Sequence, residues 1–188
     1  MNQRHDRTHI LGYLVAATSM RELVERIVQD LSAGQKGRSL ACLNPHSFVV
    51  AEDDPEFKRA LQGCTWLTPD GAGLVLAARI LRAPITERIA GPDTFLEIHR
   101  QIESLGGCKV FLLGSTDDNL RRITQRFSTD FPHTRVTGTW SPPFKAEFSD
   151  DDIALMIQKI NEASPDILWI ALTAPKQEKL MSRILPHV

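Results

Sequence analysis

The sequence predicts an α/β fold, a mostly parallel sheet flanked by helices. Short apolar runs alternate with segments whose apolar residues recur at helical spacing, the pattern of strands joined by crossover helices. From Lys109 onward the order is strand, helix, strand, helix, strand, as in a right-handed doubly wound unit. Two runs, Val110-Phe111-Leu112-Leu113 and Ile167-Leu168-Trp169-Ile170-Ala171-Leu172, end in small polar turns that open helices. Ligands of such sheets sit beyond the carboxyl ends of the strands, so the arrangement is Rossmann-like and the strand ends are where chemistry is expected.

The elements follow in order. Residues 10–15 read as a first strand. Thr18-Ser19 can cap a helix in which Leu23, Val24, Ile27, Val28 and Leu31 share one face, and Gly34 and Gly37 end it. Ser39-Leu40-Ala41-Cys42-Leu43 is a short buried strand broken by Asn44-Pro45, and short helices cover 46–51 and 55–61. Trp66-Leu67 is a weak strand leading into Thr68-Pro69-Asp70-Gly71. Residues 73–81 are helical and nearly all apolar, which predicts a helix buried on most sides. After a connector over 86–91, Pro92-Asp93 begins a helix with Phe95, Ile98, Ile102 and Leu105 toward the core. Then come a strand over 109–113, a helix over 117–127 striped with Leu120, Ile123 and Phe127, and a strand over 135–139. The loop Ser141-Pro142-Pro143-Phe144, a helix over 149–161 with Ile153, Met156, Ile157 and Ile160 inward, the strand over 167–172 and a helix over 175–185 complete the chain.

At 188 residues the chain can form one domain, with approximate lobes over 1–105 and 106–188. Hydrophobic content of 42% with 24% charged residues suits a soluble globular protein, and a net charge of −1 points away from bulk nucleic-acid binding. Arg121, Arg122 and Arg126 read as a solvated helix face. Cys42, Cys64 and Cys108 are odd in number and widely spaced, which argues against disulfides and a zinc site. Residues 1–8 are polar and lack the apolar core of a secretory leader, and no run approaches the about 20 apolar residues of a membrane span. A cytoplasmic location is the expectation, compatible with a peripheral place at the inner face of the cell membrane.

The chemistry-bearing candidates all lie at strand ends. Asp70 reads either as a helix cap or as a general base taking a proton from a hydroxyl nucleophile. Gly71-Ala72-Gly73 is half of a dinucleotide fingerprint, but Leu76 stands where its third small residue belongs. Asn44 reads as a turn residue, as a bond to a sugar hydroxyl, or as a brace for the Asp70 loop. Cys42 reads as an inert strand cysteine or as a nucleophile needing a nearby base. Gly114-Ser115-Thr116 offers backbone N–H groups, hydroxyls and a helix start that suit a diphosphate, without the lysine and spacing of a P-loop. Arg88 is either a surface residue or a bidentate phosphate clamp. Gln177 and Glu178, just past a strand end, are either exposed helix residues or ligand contacts. His46, His99 and His133 lack metal-ligand spacing and read as structural or surface residues.

Six segments occur in order across the chain: Cys42-Leu43-Asn44-Pro45, Thr68-Pro69-Asp70-Gly71-Ala72-Gly73, Glu87-Arg88-Ile89-Ala90-Gly91-Pro92-Asp93, Val110-Phe111-Leu112-Leu113-Gly114, Ser141-Pro142-Pro143-Phe144 and Ala174-Pro175-Lys176-Gln177-Glu178. Together they resemble the WecG/TagA/CpsF glycosyltransferases (glycosyltransferase family 26). The resemblance implies an inverting transferase that moves an N-acetylmannosamine-type sugar from a UDP-N-acetylhexosamine donor to a polyprenyl-diphosphate-linked sugar, in teichoic-acid or other cell-surface polysaccharide synthesis, with no metal or other cofactor. It maps the base to Asp70, a substrate contact to Gln177 and a diphosphate contact to Arg88. It places Cys42, Asn44, Gly114, Ser115, Thr173 and Glu178 among the substrate-binding residues. No nucleic-acid partner is expected.

Three departures stand out. Cys42 replaces a family threonine, and Thr173 replaces a glycine before Ala174-Pro175-Lys176-Gln177-Glu178. Relatives also continue beyond this last helix with a strand, a glycine-rich turn and an arginine-rich tail, whereas this chain stops at Val188. Two expectations follow: weakened peripheral membrane contact, and apolar surface that a second copy could cover to give a homo-oligomer. A catalytically inactive nucleotide-sugar-binding or oligomerisation module therefore stands as the alternative to the transferase.

Overall fold

The computed structural model describes residues 6–188. Residues 1–5, part of the polar opening read for a leader, lie outside the described residues. The chain divides into two compact units, the first ending at Ile98 and the second spanning His99–Val188.

In the first unit, β1 (Arg7–Ile10) and β2 (Tyr13–Ala16) form an antiparallel hairpin in which Ile10 faces Tyr13. The single strand expected over 10–15 is thus two strands. Leu11 and Gly12 take φ of 51° and 84°, a two-residue turn whose twist matches that of paired strands. Ser19 caps α1 (Met20–Ser32) in a reciprocal capping box with Glu22, and Leu23, Val24 and Val28 are buried. β3 (Leu40–Leu43) pairs in parallel with β4 (Trp66–Pro69), placing Cys42 opposite Thr68, and β2 packs beside β4. Between them, α2 (Pro45–Asp53) and α3 (Pro55–Gln62) each begin with proline behind a capping residue, Asn44 and Asp54.

α4 (Ala72–Ile80) follows β4 and corrects the reading of a helix buried on most sides. Only Leu74 and Ala78 are buried, one turn apart, because neighbouring chain covers a single stripe of the helix. The connector buries Ile85 and Ile89 and leads to α5 (Gly91–Ser104), within which the unit boundary falls. Ile98 and Ile102 of α5 are buried as expected, but Leu105 is exposed. The helix stops at Ser104, so Leu105 no longer follows its inward stripe.

The second unit is built on a three-stranded parallel sheet of β5 (Lys109–Gly114), β6 (Arg135–Trp140) and β7 (Ile167–Ala171) in the order β6-β5-β7. The described parallel strands therefore fall into this sheet and the β3–β4 pair. The crossovers are α6 (Asp117–Asp130), capped by Thr116, and α7 (Asp150–Ala163), capped by Ser149 with Asp152 reciprocating. α8 (Lys176–Ile184) follows β7 and ends in a 3-10 turn over Leu185–His187. Phe111, Leu113, Phe148, Ile153, Met156, Ile160, Leu180 and Ile184 form one core cluster. Burying each such side chain contributes about 1.5–3 kcal/mol before chain entropy is set against it. His99, Phe127, Phe131 and Trp169 form an aromatic group, with ring centroids 4.9 Å apart for His99 and Phe127.

Candidate active site

The expected site residues gather at the carboxyl ends of strands, in two clusters, one in each unit. In the first unit the parallel β3–β4 register ends with Leu43 opposite Pro69. The Asp70 N–H donates to the Leu43 carbonyl at 2.8 Å, which fixes Asp70 beside Asn44. Asn44 is the cap of α2: its Oδ1 accepts from the Ser47 N–H at 2.8 Å, while its own N–H donates to Ser47 Oγ at 2.8 Å. The turn reading of Asn44 is therefore realised as a helix cap, beside the Asp70 loop.

Asp70 does not cap α4. The cap position is Gly71, which supplies no side-chain bond, so the first N–H groups of α4 have no capping side chain. The Asp70 carboxylate, half-buried, makes no hydrogen bond or ion pair among the described residues. A carboxylate with no partner among the described residues is available for a proton, and the uncapped helix start beside it suits an anionic ligand. Gly73 explains part of the packing here, since a Cβ on it would stand 2.7 Å from Pro45 Cγ.

Arg88 reaches the same strand end through its neighbour: the Ile89 N–H donates to the Pro69 carbonyl at 2.8 Å, and the Ile89 side chain is fully buried. The Arg88 guanidinium stays half-exposed, 3.6 Å from the Asp93 carboxylate. Cys42 lies one register step inward, its Sγ 3.3 Å from Thr68 Oγ1 and facing Gly91, where an added Cβ would be 3.4 Å away.

In the second unit, Gly114 and Ser115 end β5 with φ of 103° and 68°. The turn is held from three sides. Asn119 Nδ2 donates to Ser115 Oγ at 2.8 Å, Ser141 Oγ donates to the Ser115 carbonyl at 2.9 Å, and Thr116 Oγ1 accepts from the Asn119 N–H at 3.3 Å. Sequence reading did not single out Asn119, whose signal was its place three residues after a capping threonine. Ser141 stood there only as the start of the Ser141-Pro142-Pro143-Phe144 segment, and its role as a brace had no sign because its partner lies on a different strand end.

After β7, Thr173 is exposed, and its carbonyl accepts from the Gln177 N–H at 3.2 Å. Gln177 Oε1 accepts from the Leu172 N–H at 3.2 Å, so this side chain ties the strand end to the helix start. Glu178 is buried, 5% exposed, and burial pushes its carboxyl above the ordinary carboxylate range. Of the two helix residues, then, Glu178 is an interior group. Lys176 was also missed as a structural residue: it donates to the Lys145 carbonyl and lies 3.9 Å from the centre of the Phe148 ring, pinning the loop after β6. Phe144 stands fully exposed on that loop. A groove of about 620 Å³ also runs between α6 and β6, lined by Leu120, Arg121, Thr124, Gln125, Thr137 and Gly138, and none of the expected site residues lines it.

The remaining expectations resolve simply. Arg121 and Arg122 pair with Asp118 and Arg126 with Asp130, all on the solvated face of α6. His46 is exposed, His133 pairs with Glu103 at 2.6 Å, and His99 is fully buried, its Nε2 accepting from Trp169 Nε1 at 2.8 Å. Burial pushes the Cys108 thiol up to about 12, so it is no nucleophile at neutral pH. Among the described residues no group of three His, Cys, Asp or Glu side chains could hold a metal ion, and no helix is long and apolar enough to cross a membrane.

Comparison with known proteins adds a lineage to this geometry. The chain is similar to the N-acetylglucosaminyldiphosphoundecaprenol N-acetyl-beta-D-mannosaminyltransferase of Bacillus subtilis (strain 168), 27% identical over 148 residues that cover 77% of this chain and 54% of the relative. The protein of the same description from Bacillus spizizenii is 27% identical over 146 residues, covering 76% and 53%. That of Staphylococcus aureus (strain NCTC 8325) is 25% identical over 175 residues, covering 92% and 66%. The chain thus spans about half the length of the Bacillus relatives it matches. The family model described as "Glycosyl transferase WecG/TagA/CpsF family" matches residues 8–188, a span that includes both strand-end clusters. With its parallel strands ending in these two clusters, the chain belongs to the WecG/TagA/CpsF family of glycosyl transferases.

Proposed function

We propose that this chain is an inverting glycosyltransferase moving an N-acetylmannosamine-type sugar from a UDP donor to a polyprenyl-diphosphate-linked sugar. The observation that carries the reading is Asp70, a half-buried carboxylate at a parallel strand end with no structural partner among the described residues. In the reaction Asp70 takes the proton of the acceptor hydroxyl. The freed oxygen forms the bond to the anomeric carbon as the bond from that carbon to the UDP oxygen breaks. UDP leaves with the electron pair, and attack opposite to it inverts the configuration.

Arg88 and the uncapped start of α4 are the groups of the first unit that suit negative charge. The Gly114-Ser115-Thr116 turn, Thr173 and Gln177 are the proposed donor contacts of the second unit, and Cys42 and Asn44 line the acceptor side. The reading assigns no step to a metal. Its acceptor is membrane-borne, which places the work at the cytoplasmic face of the membrane and the product in cell-surface polysaccharide or teichoic acid.

The test is UDP release from a panel of UDP-N-acetylhexosamines, with and without a short-chain polyprenyl-diphosphate-GlcNAc acceptor. Acceptor-dependent release is expected. Asp70→Asn should lower it about 10²–10⁴-fold while leaving UDP-sugar affinity within a few-fold. A variant that turns over at the parental rate removes Asp70 from the role of base. UDP-sugar binding with no release under any pairing would count against the transferase reading and favour a nucleotide-sugar-binding module.

A further inference from the structure

Between Gly71 and Thr86 the chain has no acidic residue, and its charged groups are two arginines, Arg79 and Arg82. α4 occupies most of this stretch, and its outer face is uncovered in the first unit. Leu76, Ile80 and Leu81 are 58%, 74% and 54% exposed. Residues 76 and 80 stand one turn apart on the same side of the helix, and Leu81 follows at its end. Arg79, on the turn between the two, and Arg82, at φ 55° just past the helix, are both exposed.

Of the other exposed large apolar side chains, Leu96 precedes Glu97, Leu105 follows Glu103 by two positions and Leu155 follows the Asp150-Asp151-Asp152 start of α7, while Leu11, Val49 and Phe144 come from three separate segments. Among the described residues, the α4 segment is the one that carries three exposed bulky apolar groups with positive charge and no negative charge. Large apolar groups rimmed by arginine complement a bilayer of anionic lipid. The apolar groups enter the acyl boundary while the guanidiniums stay at the phosphates. A two-fold contact between copies through this face would set the arginines of one against those of the other.

We propose that the exposed face of α4 (Leu76, Ile80 and Leu81 with Arg79 and Arg82) docks the chain on an anionic phospholipid bilayer. The docking rests on this face and not on the transferase reading. α4 is nine residues long, about 13 Å at the helical rise, and begins two residues after Asp70. A helix lying on the lipid surface therefore holds the Asp70 strand end close to that surface.

The experiment is flotation of the chain with vesicles of phosphatidylcholine alone and with about a third phosphatidylglycerol. The anionic vesicles should carry the chain, less so as salt rises. Ile80→Glu should lower the partition coefficient at least about tenfold, since it places a like charge in the contact. Arg79→Gln with Arg82→Gln should lower binding to the anionic vesicles and leave the weak binding to neutral ones unchanged. These positions are exposed, so each variant should melt within a few degrees of the parent, which checks that it is folded. Failure of the parent to float with anionic vesicles overturns the proposal, as does parental binding by Ile80→Glu. A parental dimer that Ile80→Glu converts to a monomer, with vesicle binding unaltered, would also overturn it and give the face to a second copy. No sugar substrate enters the assay, so its outcome is separate from that of the transfer test.

Discussion

Replacing Gly114 with alanine separates two costs that strand-end glycines usually confound. Gly114 has φ 103°, and Gly106, in the same unit, has φ 104°. A Cβ at Gly106 would meet nothing within 4 Å. At Gly114 it would stand 2.8 Å from the Ala171 carbonyl oxygen, 3.0 Å from its carbon and 3.0 Å from Leu172 Cδ2. Gly106→Ala therefore carries only the conformational strain, about 1–3 kcal/mol. Gly114→Ala carries the same strain and also pushes against backbone. Gly114 and Ala171 are register partners at the end of the β5–β7 ladder, so neither can move without loosening the last rungs. Losing one or two such hydrogen bonds adds about 1–2 kcal/mol. At about 2–4 °C per kcal/mol for a chain of this size, Gly114→Ala should melt roughly 2–8 °C below Gly106→Ala. Parallel thermal melts followed by circular dichroism, with urea titrations to confirm the difference, measure it. Equal melting temperatures would refute the claim that the close approach of Ala171 is what requires glycine at 114.

Three further outcomes follow from buried or bridging groups. Burial lowers the pKa of His99 to about 4 from the 6.5 of a free imidazole. The folded state then binds fewer protons, and its stability is full above pH 6.5 and falls as pH drops toward 4, by about 3 kcal/mol in all. His99→Gln, which keeps an acceptor for Trp169, should flatten the fall of the urea midpoint between pH 7 and 5; an unchanged slope would refute the assignment. Glu178 has the opposite sign: its folded pKa is raised above 4.5 by burial, so its contribution is present at acid pH and lost as pH rises. Glu178→Gln should be more stable than the parent at pH 7 and match it near pH 4, which urea titrations at the two pH values would show or contradict. Lys176→Met removes a donor to the Lys145 carbonyl and a cation over the Phe148 ring. Together these are worth about 1–2 kcal/mol, so tryptic cleavage at Lys145 should quicken roughly 5–30-fold, and an unchanged rate would mean that the loop is held otherwise.

Where a signal is local, the sequence carried it. Ser19 with Glu22 and Ser149 with Asp152 form reciprocal caps that end-of-helix chemistry alone requires. The stripes of α1, α6 and α7 put Leu23, Leu120 and Met156 inside because residues three and four apart share a face whatever the rest of the chain does. The hairpin at Leu11-Gly12 escaped because an unbroken apolar run hides a turn whose only mark is one glycine. Asn44 was legible as a residue of the Asp70 neighbourhood, but its use as a cap depended on where Ser47 fell.

The sequence by itself determined the α/β alternation, the family, and the strand ends as the place for Asp70, Ser115 and Gln177, since each follows from short-range periodicity, turn chemistry or motif order; Arg88 reaches a strand end only through the bond from the Ile89 N–H to the Pro69 carbonyl. Tertiary structure alone decided that the Asp70 carboxylate has no partner among the described residues while Gly71 takes the cap position, that Glu178 is buried, that Ser141 braces Ser115, and that α4 turns Leu76, Ile80 and Leu81 outward. The physical reason is the same in each case. Local pattern says which residues share a face, but exposure and hydrogen-bond partners depend on which distant segment arrives to cover that face, and an all-apolar helix such as α4 gives no local sign of the side that is left open.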